Sequence, residues 1–126
     1  MITGSVNLNR EARIRLPICS SSGSEIEIEA IIDTGFTGSL SLPANIISSL
    51  GLPWLTRSNA LLANGIEVLL DIHAALVIWD GNPRRLLVQS VDVEPLVGMA
   101  LLDGYDMHVQ VRNGGNVILQ NLTELT

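Results

Sequence analysis

Polar and apolar residues alternate through Arg13-Ile14-Arg15-Leu16-Pro17-Ile18 and again from Glu25 to Ile32, a period of two that predicts two half-buried strands. The serine-rich stretch Ser20 to Ser24 between them reads as a turn, so the pair forms a hairpin that ends at Asp33. After Leu40 and Leu42, the segment Pro43 to Pro53 predicts a short helix, with proline at its start and Gly51 then Pro53 past its end. Further strands are predicted at 61–63, 66–79 and 86–93. Two more, at 105–111 and 117–119, pair across Asn113-Gly114-Gly115. Between Leu96-Val97-Gly98 and Gly104 the pattern gives a short helical turn with Gly104 as its C-cap. The sum is an all-β chain, a small barrel with one or two short helices.

Composition bounds this picture. A chain of 126 residues, 47% of them hydrophobic, is the size of one domain that buries its own core, and no linker or repeat divides it. Its apolar stretches, such as Ala74 to Trp79, fall far short of the roughly 20 residues of a membrane helix. The first residues lack the basic segment and apolar block of a signal peptide, and Cys19 is the single cysteine, which excludes an internal disulfide. A soluble, cytoplasmic protein with no membrane partner is expected. The net charge of −6 argues against nucleic acid, which needs clustered Lys and Arg. The adjacent pair Arg84-Arg85 follows the turn-rich Asp80-Gly81-Asn82-Pro83 and reads as a solvated loop.

The chemistry concentrates at Asp33-Thr34-Gly35. An apolar strand, Ala30-Ile31-Ile32, delivers a carboxylate to a glycine-punctuated turn, so Asp33 is partly desolvated and a candidate for proton transfer. Thr34 can lock the corner with a hydroxyl that both donates and accepts, and Gly35 lets backbone approach backbone or ligand. The rival acids have simpler explanations. Asp80 and Asp103 precede glycine in turns, Asp71 and Asp92 alternate with apolar neighbours and face solvent, and Asp106 opens a strand. His73, His108 and Cys19 lie far apart and lack the close pairings of zinc sites, so no metal or cofactor is expected. No Gly-x-Ser-x-Gly elbow occurs. Asn121-Leu122-Thr123 fits a glycosylation acceptor but reads as ordinary tail.

Three elements in order carry a resemblance: Ile31-Ile32-Asp33-Thr34-Gly35, the Asn-Gly hairpin Leu61-Leu62-Ala63-Asn64-Gly65-Ile66-Glu67-Val68, and Leu96-Val97-Gly98. Together the chain resembles the retropepsin-like aspartic proteases, the single-domain branch of the pepsin clan, and most nearly its bacterial and cyanobacterial members. The resemblance implies a small closed acid-protease barrel. Hydrolysis by paired carboxylates needs one ionised and one protonated acid, and one chain offers a single such Asp, so the resemblance implies a homodimer with Asp33 from each chain. Thr34 then bonds across the axis, and Gly35 lets backbone groups meet an extended peptide substrate. Ala63, Asn64 and Gly65 form a flap tip, Phe36, Ile66 and Val97 line pockets, and Gly98 completes the substrate-binding set. Phe36 replaces a small residue and Met99 an arginine of the retroviral pattern, so the retroviral salt bridges at the dimer base do not carry over. The segment 120–126 is not strongly strand-like. A peptide-binding module that does not cut, or an interaction barrel in which Asp33-Thr34-Gly35 is only a turn, are the alternative readings.

Overall fold

The computed structural model describes residues 1–61 and 64–125. The chain is dominated by strands: β1 (Ile2–Val6), β2 (Ala12–Cys19), β3 (Glu25–Ile32), β4 (Leu40–Leu42), β5 (Trp54–Leu61), β6 (Glu67–Trp79), β7 (Asn82–Ser90), β8 (Leu96–Val97), β9 (Tyr105–Val109) and β10 (Asn116–Asn121). Two short helices, α1 (Ala44–Leu50) and α2 (Met99–Leu102), interrupt them, and a 3-10 turn covers Leu122–Leu125. The alternation in β2 does what it predicts: Ile14, Leu16 and Ile18 are buried while Arg15 faces solvent. Helix α1 starts after Pro43 and ends on Gly51 in the left-handed region at φ 65°, a conformation that favours glycine. A Cβ at Gly51 would also strike Ser21 Oγ, because Ser21 N–H donates to Leu50 C=O and seats the helix end on the β2–β3 turn.

The strands form one sheet in the order β5-β6-β7-β4-β8-β3-β2-β1-β10-β9. It returns on itself through an antiparallel pair, Ile18 with Val77, both fully buried. The expected closed barrel is therefore narrowed to an all-β sheet that meets itself at this pair. The reason lies in β6, whose 13 residues outrun the core, so its first half leaves β2 and pairs with β5 as a projecting hairpin. Around the return point Leu40, Leu42, Val77, Val88, Val97, Leu101, Val117 and Leu119 make a continuous buried core.

Several boundaries differ from the sequence pattern. Strand β1, between β2 and β10, has no counterpart among the predicted elements. Strand β5 begins at Trp54, well before 61. The predicted loop at Arg84-Arg85 is strand: the turn is confined to Asp80 and Gly81, both at positive φ, and β7 starts at once with Asn82. Pro83 is tolerated because β4 reaches only Val88 to Ser90 of β7, leaving no ladder on its far side to lose a donor. Helix α2 ends on Asp103, one residue before the predicted Gly104.

Candidate active site

Three short segments converge where β3 ends. Strand β8 lies parallel to β3, pairing Ile31 with Leu96 and Ile32 with Val97, and antiparallel to β4, pairing Leu40 with Val97. The chain therefore leaves β3 at Asp33, loops through Thr34 to Ser39, and returns as β4 on the other side of β8. Asp33 N–H donates to Val97 C=O at 2.9 Å, which fixes its backbone. Its carboxylate oxygen Oδ1 accepts the Gly35 N–H at 2.9 Å, and its own C=O accepts the Phe36 N–H at 3.1 Å. Asp33 is half-buried, and among the described residues its Oδ2 has no hydrogen-bond partner.

Gly98 holds the far wall. Its N–H donates to Ser39 C=O, and the next two N–H groups, of Met99 and Ala100, reach Phe36 C=O at 2.8 Å and Gly38 C=O at 3.1 Å. A Cβ on Gly98 would lie 2.2 Å from Gly38 O and 2.6 Å from the Phe36 ring, distances no side chain can adopt. The loop after Asp33 is thus bolted to the first turn of α2 through backbone alone.

The structure brings Asp33, Thr34, Gly35, Phe36, Val97 and Gly98 together. Thr34 and Gly35 are exposed, and the Thr34 hydroxyl has no hydrogen-bond partner among the described residues. Phe36 is half-buried beside Gly38 and Gly98. Val97 corrects the picture of a pocket wall, because its side chain is 0% exposed. It belongs to the core and serves the site through its carbonyl. Asn64, Gly65 and Ile66 sit at the exposed tip of the β5–β6 hairpin, where Ile66 N–H donates to Asn64 Oδ1 at 3.1 Å and Gly65 adopts φ 82°. Among the described residues no hydrogen bond joins this tip to the Asp33 loop. Ala63 lies outside the described residues.

Ser39, Gly38 and Pro95 were not singled out by sequence. They act through backbone oxygens, Pro95 C=O receiving the Ile31 N–H at 2.9 Å, and a backbone role leaves no mark on residue type except at Gly38. Arg13 was also missed. Its guanidinium reaches Glu11 at 2.8 Å and Glu94 at 2.5 Å, tying β2 to the loop that enters β8. Glu11 first, then Glu94, hold the Arg13 guanidinium above its usual pKa.

Among the described residues no group of His, Cys, Asp and Glu is placed to hold a metal ion, and no helix is long and apolar enough to cross a membrane. A cavity of about 460 Å³ lies elsewhere, lined by Ser20, Ser21, Leu52, Pro53, Ala74 and Ala75 among others.

Compared with solved structures, the chain is similar to a retropepsin-like aspartic protease from Rickettsia conorii, with a TM-score of 0.59 and 18% identity over 94% of this chain and 87% of that one. The chain has the retropepsin-like fold. No protein-family profile and no curated protein matches it by sequence.

Proposed function

We propose that the protein is an aspartic endopeptidase that works as a homodimer, one Asp33 from each chain forming the catalytic pair. The observation that carries this reading is the fixed, half-buried Asp33 at the β3–β8 junction, held by the Val97 carbonyl and the Gly35 N–H, on a fold similar to that of a named aspartic protease.

Two carboxylates about 3 Å apart cannot both be charged cheaply, so the pair shares one proton. The ionised member takes a proton from water as that water attacks the peptide carbonyl. The protonated member donates to the carbonyl oxygen, and a proton then passes to the leaving amine. The Thr34 hydroxyl, without a partner among the described residues, is available to bond across the two-fold axis and hold the pair in register. Substrate lies extended between the Asp33 loops and the β5–β6 hairpins, with Asn64, Gly65 and Ile66 closing over it as a flap. Main-chain hydrogen bonds give affinity, and apolar side chains flanking the bond meet Phe36 and Ile66.

The test is digestion of a mixed peptide library from about pH 3 to about pH 8, with wild type and Asp33→Asn compared and cuts read by mass spectrometry. A bell-shaped, acid-shifted profile whose cuts vanish in the variant is expected, the loss being about a thousandfold or more. Peptides bound equally by both proteins and cut by neither would replace the peptidase with a peptide-binding module.

A further inference from the structure

Strand β6 is covered on one side by β7 from Ile72 to Trp79, but its other side has a gap. There β5 pairs with it as far as His73, through Trp54, and β2 pairs with it at Val77, through Ile18. Ala74 N–H donates to Pro53 C=O at 3.0 Å, so the main-chain groups of Ala74 point away from β7. By the alternation of an antiparallel ladder those of Leu76 point the same way. Pro53 has no N–H to return to the Ala74 C=O, and among the described residues Leu76 has no paired residue on that side. The cavity of about 460 Å³ occupies this gap, a volume in the range of small-ligand sites. None of its lining residues is acidic. Arg85, opposite Leu76 in the β6–β7 register, lines it and makes no ion pair among the described residues. Carbonyls near its rim are engaged elsewhere, Leu50 C=O by the Ser21 N–H and Leu52 C=O by His73 Nδ1 at 3.0 Å.

We propose that this gap binds the C-terminal residue of an apolar peptide, laid parallel to β6 opposite Ala75. In a parallel pair the added residue gives its N–H to the carbonyl on one side of its neighbour and receives the N–H on the other. Here those groups are the Ala74 C=O and the Leu76 N–H, the two that face the gap. The terminal carboxylate takes the Leu76 N–H, and the Arg85 guanidinium supplies the opposite charge. The terminal side chain enters the apolar part of the cavity at Leu52 and Ala75, both buried. The site is separate from the candidate catalytic residue, because the Ser20–Ser24 turn and Asp33 lie at opposite ends of β3, roughly 25 Å apart along the strand. Pro53 and Ala74 form the root of the β5–β6 hairpin, so an occupant braces that root. Each cut by a peptidase makes a new C-terminus, so the source of the ligand rests on the reading above, while its binding does not.

The test is titration of the full chain with acetyl-leucyl-valine, followed by residue-resolved NMR of the backbone amides. The free acid should bind saturably and shift the Leu76 amide downfield, while Asp33 and Gly35 keep their positions. The same dipeptide with a C-terminal amide should bind about tenfold more weakly. Arg85→Gln, at an exposed position, should weaken the acid about tenfold and remove the difference between acid and amide. Isovalerate has the same branched end and carboxylate but no N–H for the Ala74 carbonyl, and it too should bind about tenfold more weakly. No saturable shift at Leu76, acid and amide bound alike, or an affinity indifferent to Arg85→Gln would overturn the site. Isovalerate bound as tightly as the dipeptide would reject a peptide as its occupant, and shifts centred on Asp33 would move the ligand to the cleft and overturn the proposal. Binding at Leu76 with no cleavage of the peptide library keeps this site and rejects the peptidase, and cleavage without such binding does the reverse.

Discussion

At the scale of single residues, Asp33 and Gly98 sit side by side but do different work, and two substitutions separate them. Asp33→Asn keeps an oxygen to accept the Gly35 N–H, so its stability should stay within about 0.5 kcal/mol of wild type while activity disappears. Gly98→Ala adds one carbon that would lie 2.2 Å from the Gly38 carbonyl, and neither backbone can yield without breaking the Ser39 and Phe36 hydrogen bonds. A loss of about 3 kcal/mol or more in urea unfolding is expected, with activity falling because the Asp33 loop loses its anchor. Both residues were legible in the sequence because their types are unusual in context: an acid after three apolar residues, and a glycine between an apolar strand and an apolar helical turn. The Val97 side chain misled, since nothing in a Leu-Val-Gly triplet tells whether valine faces a groove or the core.

At the scale of elements, the β5–β6 hairpin is clipped near its base by Asp71. Its Oδ1 accepts the Trp54 indole N–H at 3.1 Å and lies 2.9 Å from Arg57 Nε. Trp54 first, then Arg57, hold the Asp71 carboxyl below the usual carboxylate range. An acid depressed in the folded state contributes stability that is complete above its unfolded pKa and is lost as pH falls through the lower folded value. The clip is therefore intact at neutral pH and opens only in the acid range below ordinary carboxylate titration. Asp71→Asn should speed amide exchange in β5 at neutral pH, and the difference from wild type should shrink as the pH falls below about 3.9. The elements that alternation revealed, β2, β3 and most of β6, are those with one face on the core. Strand β5 was hidden because almost every residue in it is exposed, which leaves no period to read. The start of β7 was hidden because proline and paired arginines mimic a loop, and only the partner strand supplies the ladder that overrides them.

At the scale of the whole molecule, the sheet's return on itself depends on contacts between residues far apart in sequence, and no local pattern specifies them. Ile18 and Val77 carry that return. Ile18→Ala should cost about 3 kcal/mol, whereas Ile26→Ala in the next strand, with Ile26 44% exposed, should cost under about 1 kcal/mol; chemical denaturation of both variants checks the contrast. The two tryptophans differ in their surroundings. Trp79 is 4% exposed, edge-on to Tyr105 with ring centroids 5.6 Å apart, and Trp54 is 57% exposed at the root of the projecting hairpin. The molecule thus carries one shielded and one open fluorophore. The buried Trp79 Nε1 has no hydrogen-bond partner among the described residues, so Trp79→Phe removes a donor unsatisfied there and should be tolerated. It leaves Trp54 as the sole emitter, whose red-shifted, acrylamide-quenchable light would turn blue and resist quenching if the hairpin folds down over a bound peptide.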